Sequence, residues 1–257
     1  EICLRNNVFL FNHEVFHQTS GTAMGISFSP SYANITMGWW EKEYAWNPEH
    51  EEDLNRIILW VRFIDDLFLI WHGTQETFEK YYTKLQENDI GLQFTYTASQ
   101  IQIDFLDITV YVKDDMLHTK TFRKATATNS VLHGKSFHPK ALIRSIPYGE
   151  FLRMRRNCSE DAETVKQNEL VSKRFRERGY DWSNINRCLE RAKQKTRLDT
   201  LIMKKKEEDT KDKIRFITTY NKEHCAIQKI LRKHWGLLKD DPDIGPNLEQ
   251  NPSVTYR

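Results

Sequence analysis

Asp65 and Asp66 stand side by side between two apolar runs, Ile57-Ile58-Leu59-Trp60-Val61 and Leu67-Phe68-Leu69-Ile70-Trp71. Nearly continuous apolar strands of this kind are expected to be buried on both faces. Adjacent carboxylates in a turn between such strands are costly unless something neutralises them. A divalent cation is the usual remedy, because Mg²⁺ takes one or two carboxylates together with phosphate oxygens and water. The pair is therefore a candidate metal site, although an aromatic-x-Asp-Asp quartet taken alone is more often an ordinary acidic turn. A second candidate chemistry lies in Arg153, Arg155 and Arg156. Arginines clustered on a helix supply phosphate contacts, and the alternative for each of them is a solvated helix face.

The elements that must position these residues can be read from period and punctuation. Val8–Phe11 and Glu14–His17 flank Asn12-His13 as a hairpin. A small-residue stretch, Thr19 to Gly25, leads to a helix that Ser29 should cap, with Pro30 in its first turn. Ala33, Met37, Trp40 and Tyr44 give that helix one apolar face. Residues 46–53 read as an acidic loop, and 75–88 as an amphipathic helix carrying Phe78, Tyr81, Tyr82 and Leu85. The period then drops to two at Leu92, Phe94 and Tyr96, with further strands expected over 101–112 and 116–123. Beyond residue 139 the pattern is helical and basic. Helices are expected over 139–145, from near Pro147, from a cap at Ser159 and from Asp181, an arrangement like a helix-turn-helix. Lys204–Lys213 reads as a charged linker, 214–220 as a strand, 222–238 as a helix, and the proline-bearing tail as extended.

Composition narrows the classes. With 39% hydrophobic and 29% charged residues the chain reads as globular. No apolar run approaches the roughly 20 residues that a membrane span needs, and no signal peptide is visible. Cys3, Cys158, Cys188 and Cys225 are scattered, which suits a reduced intracellular protein. Lys204-Lys205-Lys206 is compatible with a nuclear location, though a charged linker explains it as well. His224, Cys225 and His234 lack the fourth ligand and the spacing of a zinc site. The net charge of +2 hides an asymmetry: residues 1–118 hold 7 Lys/Arg against 18 Asp/Glu, and residues 119–257 hold 31 against 18. An acidic half joined to a basic half suggests cations handled by the first and a polyanion held by the second.

Taken together, Gln18-Thr-Ser-Gly21-Thr-Ala-Met24-Gly25-Ile-Ser-Phe-Ser-Pro30-Ser-Tyr-Ala33-Asn34 and Arg62-Phe63-Ile-Asp65-Asp66 resemble motifs B and C of a reverse transcriptase palm, closest in wording to Penelope-like retroelements. The resemblance continues through Phe105-Leu-Asp107-Ile108, Thr121-Phe-Arg123-Lys124, Asn129 to His133, Ile143 to Tyr148, Phe151 to Ser159, Thr218 to Asn221 and Ile230 to Trp235. It implies an α+β fold: a partial palm over 1–125 (an antiparallel sheet with two helices, motifs B to E), a basic helical thumb with helix-turn-helix-like helices over 126–200, and a connector over 201–257. It also implies RNA-directed DNA synthesis by two-metal phosphoryl transfer. Asp65 and Asp66 would be the catalytic Mg²⁺ ligands, with Gln18, Gly21, Met24 and Phe63 at the nucleotide and template, and Arg153, Arg155 and Arg156 on the nucleic-acid backbone. Partners would be an RNA template, a DNA primer and deoxynucleoside triphosphates. The family's motif A aspartate and its fingers are expected ahead of the first hairpin and are not found in this sequence, so the metal site would be incomplete and the chain inactive alone. The alternative is a non-catalytic nucleic-acid-binding module built on the helix-turn-helix-like half.

Overall fold

A computed structural model of the protein describes residues 6–19, 21–202, 215–248 and 252–256. The expected linker Lys204–Lys213 lies outside them. The architecture is α+β, and its contacts divide the chain into two units, Glu1–Leu106 and Asp107–Arg257.

In the first unit, β1 (Val8–Phe11) and β2 (Glu14–His17) pair antiparallel around Asn12 and His13. Both turn residues have positive φ, 50° and 67°, which matches the right-handed twist of a tight hairpin. Helix α1 (Ser29–Trp40) follows with Pro30 in its first turn. Ser29 is not its cap. Phe28 holds that position, and the Ser29 hydroxyl donates instead to the Ala23 carbonyl at 2.7 Å, tying the preceding loop to the helix start. The expected apolar face is present: Met37 and Trp40 are buried, and a π turn, Glu41–Ala45, carries that face on to Tyr44 and Ala45.

The stretch expected as an acidic loop is helical. Asn47 caps a 3₁₀ turn, Pro48–His50, by accepting the Glu49 N–H, and α2 (Glu51–Leu54) continues from it. Proline and carboxylates belong at the start of helical turns, where the free N–H groups and the helix dipole favour them. Next, β3 (Ile57–Phe63) and β4 (Asp66–Trp71) form an antiparallel hairpin. They are not buried on both faces. Described strands of this sheet pair only with each other, and Ile58 remains 66% exposed. Helix α3 (Gln75–Gln86), capped by Thr74, supplies Tyr81 and Leu85 to the core around Trp40. The Tyr81 hydroxyl reaches the Ala45 carbonyl at 2.9 Å, so this buried ring spends no polar group unpaired.

The alternation at Leu92, Phe94 and Tyr96 does not build a strand. Leu92 and Phe94 pack inward as the period requires, but side-chain amides take the place of a partner strand. Asn88 bonds both the N–H and the carbonyl of Leu92 at 2.8 Å, and Gln86 does the same for Phe94 at 3.1 and 2.6 Å. The strand expected over 101–112 is likewise broken: β5 (Gln102–Phe105) ends at Leu106, whose φ of 53° leaves the extended region.

In the second unit, β6 (Ile108–Lys113) and β7 (Met116–Thr121) form a hairpin through Asp114 and Asp115, again both at positive φ. The helices expected over 139–145 and from Pro147 are one, α4 (Lys140–Asn157), with Pro147 inside it and buried. Helix α5 spans Asp161–Glu177. Ser159 does not cap it. Its hydroxyl accepts the Thr119 N–H and donates to the Thr119 carbonyl, joining β7 to the helix start. A turn at Arg178–Asp181, with Gly179 at φ +74°, leads into α6 (Trp182–Lys193). Ile143, Phe151 and Met154 of α4, Val171 and Phe175 of α5, and Ile185, Cys188 and Ala192 of α6 close one core. Full burial of such side chains stabilises by about 1.5–3 kcal/mol each. Beyond it stand α7 (Arg197–Leu201) with a Thr196–Asp199 capping box, β8 (Arg215–Thr218), α8 (His224–Lys239) and β9 (Ser253–Tyr256). The tail thus ends in a strand, parallel to β8.

Candidate nucleic-acid interface

The three arginines singled out by their clustering at the end of α4 each hold a protein partner. Arg153 grips Asp107 through Nε at 2.9 Å and Nη2 at 2.6 Å, and Asn157 adds a third hydrogen bond to the same oxygen at 3.2 Å. Partial burial would raise the Asp107 carboxyl, but these donors outweigh it and hold the group below the usual carboxylate range. Arg155 pairs with Asp161 and reaches the Lys195 carbonyl at 3.3 Å. Arg156 donates to the Thr200 carbonyl at 2.9 Å. All three fasten α4 to its neighbours.

Other cations of the helical region are differently placed. Arg144 and Tyr148, one turn apart on α4, face Arg187 and Arg191, one turn apart on α6, across a groove of about 280 Å³. Ala141, Ser145 and Cys188 complete its lining. The Arg191 guanidinium lies 4.2 Å from the centre of the Tyr148 ring, a stacked cation–π pair. Arg187 donates to Asn184 at 2.8 Å, and the buried Asn184 and Cys188 both point hydrogen-bond donors at the Arg144 carbonyl, at 3.4 and 3.5 Å. The last two contacts seat α6 on α4. Among the described residues none of Arg144, Arg187 and Arg191 has a carboxylate partner; the nearby Glu190 is taken by Lys193. Sequence reasoning passed over these residues, because they are spread over 48 positions rather than clustered. The available signal was a pair of i, i+4 steps on two helices.

In the first unit, the expected metal ligands sit at the tip of the β3–β4 hairpin. Phe63 faces Asp66 across it, Ile64 turns at φ +57°, and Asp65, Asp66 and Phe63 are all exposed. Exposure removes the desolvation cost that first suggested a cation there. Among the described residues no group of three or more His, Cys, Asp or Glu side chains could hold a metal ion. Gln18 is bound to Asn7 through its backbone and its side chain, and its amide approaches Gly21 (φ +74°), whereas Met24 is fully exposed. The hairpin is tied to α1 and to the π turn after it: Arg62 donates to Asn34 at 2.9 Å and pairs with Glu41 at 2.9 Å, and Glu41 also accepts the Trp60 indole N–H.

The family model described as the animal helix-turn-helix domain matches residues 130–190, from the loop before α4 to the last turn of α6. No curated protein and no solved structure matches the chain. The comparison supports the helix-turn-helix part of the sequence reading and none of its palm. Residues 130–190 of this chain are similar to an animal helix-turn-helix domain.

Proposed function

We propose that the protein binds nucleic acid through the three-helix body α4–α6, as a helix-turn-helix-type module. The observation that carries this reading is the coincidence of the family match with a packed helix–turn–helix, in which Gly179 makes the turn between α5 and α6. In such modules the last helix presents its N-terminal residues to base edges. Here those are Ser183 and Asn186, and Arg and Lys of the surrounding surface would meet phosphates. Fluorescence anisotropy of the full chain with a labelled duplex, repeated across salt concentrations, tests the reading. Each neutralised phosphate contributes a slope of about −0.9 in log affinity against log salt. A slope steeper than about −2, with Asn186→Ala weakening binding to a selected sequence and not to bulk duplex, is the expected result. Binding that is absent, or indifferent to salt, overturns it.

A second reading is favoured by one specific arrangement, the Asp65-Asp66 tip joined to α1 through Arg62. This supports descent of the first unit from a reverse transcriptase palm of the Penelope-like type, with RNA template, DNA primer and deoxynucleoside triphosphates as its substrates. Asp65 and Asp66 would hold Mg²⁺, which supplies charge stabilisation to phosphoryl transfer when bound. Titration of the chain with Mn²⁺, read by water proton relaxation, tests the pair. Loss of a bound-ion signal in Asp65→Asn supports the reading, and an identical signal removes its basis.

A further inference from the structure

We propose that the groove between α4 and α6 binds one phosphorylated nucleotide unit of a single-stranded nucleic acid, its phosphate on Arg144 and Arg187 and its base stacked on Arg191. The inference rests on the nucleic-acid-binding reading and gives it a ligand that a duplex surface would not supply.

Three facts lead there. The first is charge: Arg144, Arg187 and Arg191 line one concavity with no carboxylate partner among the described residues. Other arginines of the helical region are bound up, Arg153 by Asp107, Arg155 by Asp161 and Arg197 by the Arg156 carbonyl. Guanidinium groups left together without an anion repel one another, and their fork of donors matches phosphate oxygens.

The second is shape. A groove of about 280 Å³ lies at the lower end of ligand-site sizes, which begin near ~300 Å³. That is room for one nucleotide unit and no more.

The third is the plate. The Arg191 guanidinium lies over the Tyr148 ring at 4.2 Å, and the residue is exposed. Guanidinium planes and aromatic rings are the surfaces on which unstacked bases settle, and the ring beneath holds the guanidinium in plane. Phosphate donors and a stacking plate one helical turn apart along one groove ask for a phosphate and a base together.

The test uses the full chain and three probes, adenosine 5′-monophosphate, inorganic phosphate and adenosine, titrated calorimetrically. The nucleotide is expected to bind at least tenfold more tightly than phosphate, and adenosine weakly or not at all. Arg144→Gln and Arg187→Gln should each weaken the nucleotide about tenfold, the effect of losing a charge-assisted hydrogen bond. Arg191→Gln should bring the nucleotide close to the affinity of phosphate. All three positions are exposed, so Arg144→Gln should melt like the wild type, and Arg187→Gln and Arg191→Gln, which lose the Asn184 bond and the Tyr148 contact, should lower Tm by no more than about 5 °C. Tyr148→Leu should act like Arg191→Gln, and Tyr148→Phe, which keeps the ring and its packing, should bind normally.

A short oligodeoxyadenylate should displace the nucleotide, and the blunt duplex of the same length should not. Failure of the oligodeoxyadenylate to displace the nucleotide would make the ligand a free nucleotide and overturn the strand assignment. Nucleotide affinity unchanged in the Arg144→Gln/Arg187→Gln double variant overturns the site itself. Salt-dependent duplex binding without any nucleotide binding overturns this inference and leaves the helix-turn-helix reading standing. Groove-dependent nucleotide binding without duplex binding does the reverse.

Discussion

Replacing Gly134 by Ala and replacing Gly149 by Ala should move the stability of the helical unit in opposite directions. Gly134 lies in the loop that precedes α4 and touches the turn between α5 and α6, where its N–H donates to the Arg178 carbonyl at 2.8 Å. A Cβ added there would stand 2.7 Å from the Gly179 carbonyl oxygen, 2.9 Å from its carbon and 3.1 Å from the Tyr180 nitrogen. Those are backbone atoms that cannot rotate aside, so loop and turn must separate. Overpacking of this kind costs about 1–3 kcal/mol, and loss of the hydrogen bond about 1 kcal/mol more. At roughly 2–4 °C per kcal/mol for a unit of this size, Tm should fall by about 4–16 °C. Gly149 is different. It sits inside α4 with nothing within 4 Å of a new Cβ, and Ala is better than Gly in a helix interior by about 0.8–1 kcal/mol. Differential scanning calorimetry of the full chain, assigning the helical transition by circular dichroism at 222 nm, reads both. A Gly134→Ala melt at or above the wild type, or two shifts of the same sign, would refute the reasoning.

Three further predictions concern other contacts. The Asp107 carboxyl is held below its usual range by Arg153 and Asn157, so it stabilises the fold above the ordinary carboxylate pKa, and that contribution is lost as pH falls through the depressed folded value. Urea midpoints measured from pH 5 downwards should therefore drop more steeply for the wild type than for Arg153→Gln, and parallel curves would contradict the linkage. Gln86→Ala strips two bonds from Phe94, leaving its carbonyl only the Tyr82 hydroxyl, and should cost about 1–3 kcal/mol. Its signature is faster amide exchange over 92–96 relative to the rest of the first unit, and unchanged exchange there would show that packing alone holds the segment. Phe175 is completely buried among α4, α5 and α6, so Phe175→Ala should cost about 3–5 kcal/mol and Phe175→Leu much less. Equal losses in the two variants would mean that the site does not sense volume.

Period and punctuation made most elements of this chain legible, and the departures share a physical cause. The hairpin at Asn12-His13, the amphipathic α3 and the helical run after residue 139 follow from local pattern, because the residues that define each element are its own. The alternation at 92–96 correctly says which side chains turn inward but not what pairs the backbone, since Asn88 and Gln86 do that from the neighbouring turn. Ser29 and Ser159 look like caps by type and position. Each hydroxyl instead serves a distant carbonyl, Ala23 or Thr119. Pro147 was read as a boundary and is an interior residue, its ring packed where α4 is buried. The apolar runs around Asp65-Asp66 announce strands buried on both faces, and among the described residues β3 and β4 are covered on one, where Ile57, Trp60, Leu67 and Trp71 meet the core.

The same distinction governs the arginines. Local density drew notice to Arg153, Arg155 and Arg156, yet density near a helix end is also where guanidinium groups find carbonyls and carboxylates of adjoining elements. Each of the three is held so, by Asp107, by Asp161 with Lys195, and by Thr200. An arginine bound to its own protein can still meet a phosphate, but it must share or give up that partner first, and the exchange returns less free energy than a new contact. Arg144, Arg187 and Arg191 face no carboxylate exchange, and two turns of two helices bring them to one groove. For a basic surface, then, the partner each cation already holds decides its readiness for a polyanion more than the number of cations in a stretch of sequence. That is why the facing i, i+4 pairs on α4 and α6, and not the densest basic run, carry the argument for binding.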